Sequence, residues 1–419
     1  MKQRSRIFAM TALVLPLMFS GVVLAQQEQK PGIAAFINYI WEASPAIAEA
    51  EARVAAASAG QKAASRWQHN PELGYEVEDV DGEDKTKLLG VSQTIDWSGK
   101  FLSSGRTADF ELKATEAQRD EIRQNVAVDV LVALADYSAA KDIFGLAAQR
   151  SSLMERFAGL AEKSFKAGDI DQSENNLAQL ALSEALIIQA ETETALAENK
   201  QALDSAIGFA PDNFFALPDL PEILPEIPAS DLSEEQILMQ LPAVRAMKSR
   251  EEAAKAVITQ ARKDRLPDPT IGIVGGKDAG ADMIGFSVSV PLHVFNTYGA
   301  EVDVAKQEAI AEAKAGQNAF HAARTRLQAS RRAYQLSRKA WENWQKNGAQ
   351  ALAEQVDILD RKFKVGDLSA TDYLVQIEQA LDTQVAAEEL HSKVWQSWFA
   401  WLAASGSVEQ WIQNSGEEL

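Results

Sequence analysis

The spacing of apolar residues switches between two periods along this chain, and does so twice in the same order. From residue 33 to 67, Ala34, Ala35, Ile37, Ile40, Ile47, Ala48, Val54 and Ala55 recur at helical intervals with charges between them. Pro71 ends that pattern, and the period drops to two. Leu73, Tyr75 and Val77 alternate with Gly74, Glu76 and Glu78; after an acidic turn at Asp81–Asp84, Leu89, Val91, Ile95 and Trp97 alternate with Gly90, Ser92, Thr94 and Asp96. This predicts a β-hairpin over 71–97 with one apolar face and one small or acidic face. Gln93 is the one polar residue on the apolar side. Helical spacing then returns as a helical hairpin over 107–166, with its reversal expected at Asp142-Ile143-Phe144-Gly145-Leu146, and a further helix over 171–207 ending at Gly208.

The whole series then repeats. Phe165-Lys166-Ala167-Gly168-Asp169-Ile170 returns as Phe363-Lys364-Val365-Gly366-Asp367-Leu368, 198 positions on. Pro45-Ala46-Ile47 returns as Pro242-Ala243-Val244, and Asn70-Pro71-Glu72-Leu73 as Asp268-Pro269-Thr270-Ile271, at offsets of 197 and 198. Shared order at a shared offset marks a duplication. The first structural repeat spans 26–209 and the second 231–419, joined by a proline-rich connector over 210–230. The second repeat carries a hairpin at 269–291, a helical hairpin at 300–364 and a helix at 370–404. Gly168 and Gly366 are the expected helix breaks, because glycine enters the left-handed region without a Cβ penalty. Asp169 or Asp171, and Asp367 or Ser369, can cap the helices that follow. Two hairpins packed on a soluble core are one possibility, but nothing else in the chain reads as a sheet or compact domain to cover them.

Residues 1–25 combine basic Lys2, Arg4 and Arg6, an apolar run from Ile7 to Leu24 and a small-residue site ending at Ala25. That pattern predicts a secretory signal peptide. With no cysteine, neither disulfides, nor a thiolate metal site, nor a lipid anchor at the start of the exported chain is expected. The formal net charge is −19; removing the signal leaves 38 basic against 60 acidic side chains, or −22. So acidic a chain is a poor nucleic-acid binder, and a lumen it encloses favours cations. The four histidines are far apart in sequence, although His69 and His293 fall at the ends of the two strand regions. No nucleotide-binding, nucleophile-elbow or zinc-protease motif occurs, so neither an enzyme nor a cofactor or metal site is expected. Trp395, Trp398 and Trp401, at intervals of three, read as a packing stripe.

The order helix, hairpin, long helical segment, Phe-Lys-x-Gly-Asp break and helix, given twice, resembles the TolC family of outer-membrane efflux channels over essentially the whole exported chain. Asn70-Pro71-Glu72-Leu73-Gly74-Tyr75-Glu76-Val77-Glu78, Ser92-Gln93-Thr94-Ile95-Asp96-Trp97-Ser98-Gly99-Lys100 and Ser289–Asn296 resemble its CzcC-like branch, which serves cobalt, zinc and cadmium efflux. Phe101 stands where that branch has a second basic residue. The resemblance implies a mainly α fold with a small β part, assembled as a homotrimer with a 12-strand outer-membrane β-barrel and a periplasmic α-helical barrel. It also implies a passive exit duct in the outer membrane of a Gram-negative bacterium, working with a periplasmic adaptor and an inner-membrane pump of the resistance-nodulation-division type. A duct for type I secretion or drugs, or a periplasmic adaptor, are the alternatives. In such a duct Leu73, Tyr75, Val77, Ile284, Phe286 and Val288 would face lipid, and Glu76, Glu78 and Asp96 the lumen. Asp142, at the expected far turn, would meet Arg338 or Lys339 as a periplasmic gate.

Overall fold

A computed structural model describes residues 32–80, 84–209, 216–229, 231–278, 280–365 and 367–415. The signal-peptide reading, the 81–83 turn and Gly366 lie outside the described residues. Helices α1 (Ile33–Ala43) and α2 (Pro45–Ala64) divide the stretch expected as one helix. The break is at Ser44, because Pro45 drives the residue before it out of the helical region and then serves as the first residue of α2. Pro242 plays the same part at the start of the second repeat, where α5 (Glu234–Gln240) gives way to α6 (Pro242–Asp264).

Each hairpin follows one of these helices. Strands β1 (Glu72–Val80) and β2 (Asp84–Thr94) pair antiparallel, as do β3 (Thr270–Asp278) and β4 (Ala281–Ser289). The two hairpins also join each other, so the sheet has the order β1-β2-β3-β4. Gly276 is needed at that seam: a Cβ there would stand 2.0 Å from the carbonyl oxygen of Lys87.

The expected helical hairpin over 107–166 is not one. Helix α3 runs unbroken from Lys100 to Ala167, 68 residues, or about 100 Å. Gly145 keeps a negative φ, and one interior glycine costs only about 1 kcal/mol. Packing along α3 by the other helices outweighs that cost. The real reversal is at Gly168, in the left-handed conformation with φ 83°. The amide of Asp169 donates to the Ser164 carbonyl at 2.9 Å, and that of Gly168 to Phe165 at 3.0 Å, the paired bonds that satisfy a helix end. Asp171 then caps α4 (Gln172–Ile207) through a reciprocal pair with Glu174. The second repeat also continues where a hairpin was expected. Helix α7 (Gly299–Asn343), a π-helical turn (Trp344–Gly348) and α8 (Ala349–Lys364) keep right-handed helical backbone throughout. The chain reverses only before α9 (Ala370–Ser405), capped by Ser369; α10 (Val408–Asn414) follows.

Two cores hold these long elements. The larger gathers Phe36, Ile40, Leu131, Leu203, Leu238, Tyr334, Trp395 and Phe399 around the middle of the helices. Trp395, Trp398 and Trp401 are all buried in it, Trp398 stacking on Trp401 at 4.8 Å and lying tilted against Tyr334 at 4.9 Å. The connector is tied to this belt: Leu224 is buried and the Tyr334 hydroxyl donates to the Pro225 carbonyl. The smaller core, near the helix ends, joins Met154, Phe157, Ala178, Leu359, Tyr373 and Ile377. Trp395→Ala, at a position fully excluded from solvent, should cost about 3–5 kcal/mol. Chemical denaturation followed by far-ultraviolet circular dichroism checks this; an unshifted midpoint would contradict the packing role.

Candidate functional site

Over the part of the sheet nearer the helices, the register brings large apolar residues of one face into rows. Leu73, Val91, Ile273 and Phe286 stand side by side, as do Tyr75, Leu89, Gly275 and Ile284, then Gln93, Ile271 and Val288. All the large apolar side chains of these rows are exposed, Ile284 at 89%. The opposite face carries Glu72, Ser92, Gly272 and Ser287 in one row, Gly74, Gly90, Val274 and Gly285 in the next, then Glu76, Leu88, Gly276 and Met283. No described residue covers this apolar face, which runs over all four strands; a contiguous exposed apolar patch of this kind marks a surface that meets a membrane or another protein. The outer strands β1 and β4 each keep a free edge. Gln93 is accommodated because its side-chain amide donates to the carbonyls of His69 and Thr94 at 2.9 and 2.8 Å.

Among the acidic candidates, Glu76 and Glu78 share the polar face, as alternation implies. Glu72 and Asp278 join them there. Both belong to the polar parity, but Glu72 is the first residue of β1 and Asp278 the last of β3, where alternation gives the weakest signal. Asp96 lies beyond the last paired residue of β2 and is turned to the start of α3, where it accepts from the Phe101 amide at 2.9 Å and the Ser98 hydroxyl at 3.3 Å. Its part in the fold is to cap a helix.

Below the polar face, a cavity of about 810 Å³ lies where sheet and helices meet. His69 and His293, remote in sequence, both line it. The Lys100 ammonium is 2.8 Å from Asp268, and His69 Nε2 is 4.0 Å from the same carboxylate. Burial, reinforced by Asp268 and Asp96 and opposed by Lys100, raises the Asp264 carboxyl above its ordinary range. Among the described residues, no group of three or more His, Asp or Glu side chains is placed to hold a metal ion.

The proposed gate residues are elsewhere than expected. Asp142 lies 26 residues before Gly168 within unbroken α3, about 39 Å from that end. Arg338 does not reach it: its guanidinium pairs with Glu226 of the connector at 3.0 Å and with Glu342 at 2.8 Å. Lys339 is exposed on the same helix. These residues belong to the middle belt, and the tip is formed by the Gly168 turn. Asp142 acts instead on α9, where burial and then the Asp142 charge raise the Glu388 carboxyl. His391 stacks on Trp341 at 4.5 Å and accepts from the Trp395 indole at 3.2 Å. Burial lowers its basicity, against a smaller upward pull from Asp142.

Comparison with known proteins places this architecture. The family model described as outer membrane efflux protein matches residues 37–209. Protein CyaE of Bordetella pertussis is 25% identical over 288 residues, which cover 63% of this chain and 60% of that protein. The chain therefore spans less than two thirds of this relative's length. Among solved structures, the Campylobacter jejuni outer membrane channel CmeC superposes with a TM-score of 0.75, at 16% identity over 98% of both chains. The outer-membrane channel OprN gives 0.76 at 15% identity, over 91% of both chains. CusC gives 0.74 at 16% identity, over 96% of this chain and 98% of its own. The fold is that of outer-membrane channels. Within it, residues 37–209 carry the likeness to the outer membrane efflux protein family.

His391 sets a sign for the pH dependence. Its folded form holds a proton less readily than the unfolded chain, so stability should fall as pH drops through the ordinary imidazole range near about 6.5. His391→Gln keeps an acceptor for the indole but does not titrate. Thermal unfolding at about pH 8 and pH 5.5 should show a smaller acid-induced loss in the variant than in the wild type; equal losses would contradict the assignment.

Proposed function

We propose that the whole chain is a member of the outer membrane efflux protein family and is the exit duct of a tripartite efflux system. Three copies would contribute four strands each to a 12-strand barrel, with the apolar face toward lipid and the polar face toward a water-filled lumen. The observation that carries this is the sheet itself: rows of large, exposed apolar side chains on one face, in register across two hairpins, with small residues and glutamates prominent on the other and edge strands at β1 and β4. Open edges are not tolerated in hydrocarbon, where every backbone polar group needs a partner. Closure by further copies of the same sheet removes them. The helices would continue the path into the periplasm, toward an adaptor and an inner-membrane pump of the resistance-nodulation-division type.

The cargo we propose is heavy-metal cations. The resemblance of the hairpin sequences to the CzcC-like branch supports this, as does the acidity of the polar face. Glu72, Glu76 and Glu78 lie on one strand, so three copies would form stacked carboxylate rings. Such rings concentrate cations and repel anions in a confined path. The duct itself performs no chemistry in this reading; an energised partner drives transport.

Two measurements test these assignments. Phe286→Arg should destabilise the inserted barrel by about 2–4 kcal/mol if that position meets lipid, read by urea unfolding in lipid vesicles; unchanged stability would refute the outward register. Reconstituted channels should prefer cations at low salt, and the combined Glu76→Gln and Glu78→Gln substitutions should weaken that preference. An anion-selective wild type would overturn the acidic-lumen assignment.

A further inference from the structure

We infer that a cleft on the outer surface of the helices, just below the sheet, binds the phosphate headgroup of an anionic phospholipid from the adjoining membrane leaflet. This rests on the membrane reading of the sheet proposed above. The cleft, of about 420 Å³, lies between α3 and α6; Leu102, Arg106 and Phe110 line one side, and Lys255, Thr259 and Lys263 the other together with one carboxylate, Glu252.

Its side of the wall follows from helical geometry. The junction cavity opens among Thr94, Thr270 and Ser289, which belong to the polar face of the sheet, and includes Ala261 and Asp264. A second depression containing the same Ala261 and Asp264 is lined by Ser104, Ala108 and Val257. Residues two apart in a helix point about 200° from each other. Leu102 and Arg106 therefore face away from Ser104 and Ala108, and Lys255 and Lys263 away from Val257 and Ala261. The cleft is on the same side of the wall as the apolar face of the sheet.

Its depth and chemistry fit a headgroup. Arg106 is six residues beyond the start of α3 at Lys100, about 9 Å along the axis. Lys263 is seven residues before β3 begins at Thr270. Leu102, 64% exposed, precedes Arg106 along α3, and Leu266, 43% exposed, follows Lys263 toward β3, so apolar side chains stand on the sheet side of these residues, where acyl chains would begin. Among the described residues Arg106 forms no ion pair; its guanidinium carbon lies 5.9 Å from the centroid of the Phe110 ring. The Lys263 ammonium donates to the Gly99 carbonyl at 2.9 Å, which holds it in place and leaves its charge unneutralised. Lys255 is already paired with Glu251 and Glu252 at 2.8 and 2.9 Å. The net positive charge of the cleft therefore comes from Arg106 and Lys263, in a chain whose overall charge is strongly negative. Guanidinium and ammonium groups donating to one phosphate form the strong, charge-assisted kind of hydrogen bond.

The test uses the purified full-length protein in neutral detergent, with native mass spectrometry reading retained phosphatidylglycerol, phosphatidylcholine and inorganic phosphate. Insertion is measured separately by flotation with phosphatidylcholine vesicles. Phosphatidylglycerol should be retained over phosphatidylcholine, fall about fivefold in Arg106→Gln and recover in Arg106→Lys. Equal retention of the two lipids, or no change in Arg106→Gln, would overturn the inference while leaving the membrane reading intact. Displacement of the lipid by inorganic phosphate at equal concentration would also overturn it, in favour of a free-anion site. Failure to float would overturn the membrane reading, and this inference with it.

Discussion

The constraint on which the structure depends is the unpaired backbone at the edges of one small sheet. Four antiparallel strands cannot close on themselves, and β1 and β4 each present a row of free amides and carbonyls. In water such edges invite aggregation; in hydrocarbon each unsatisfied group costs several kcal/mol. The sheet also exposes a broad apolar face that no described residue covers. Both features resolve together if the strands are completed by further copies inside a membrane. The two hairpins supply the means, since β2 pairs with β3 with their alternation aligned and no register slip. A slip of one residue would turn Leu73, Ile273 and Phe286 to the polar side and the glutamates outward.

The helices are built for reach. Helix α3 is a continuous rod, and its fellow in the second repeat passes a π-helical turn without reversing. Such rods need lateral support along their length, which the two cores give at the middle and near the tip. The middle belt also explains the proline-rich connector. Its described part, 216–229, is strapped across the helices by the Tyr334 bond to Pro225 and the Arg338 pair with Glu226, so that stretch is packed against the helical belt.

The strands were legible because period-two alternation is local, and the repeat allowed each hairpin to vouch for the other. The Gly168 break was legible for the same reason. The length of α3 was not. Phe144-Gly145 resembles a turn, and the contacts with α4, α6 and α9 that hold the helix straight come from residues distant in sequence. That error moved Asp142 from the middle belt to an imagined tip and gave it Arg338 as a partner, which the connector claims. Asp96 shows a related blind spot. Parity put it on the polar face, but the chain leaves the sheet at Thr94, and the free amides of α3 take its carboxylate. The pairing of β2 with β3 is a tertiary fact that no local pattern carries, whereas the places of His69 and His293 at the ends of the two strand regions already allowed a shared cavity.

The account stands or falls on closure of the sheet. Electron cryo-microscopy of the protein in lipid nanodiscs tests this most directly. The account predicts three copies sharing one barrel of 12 strands, with β1 of each copy paired to β4 of the next and Ile284 and Phe286 against lipid. A single copy, or a sheet standing outside the bilayer with its edges open, would contradict it.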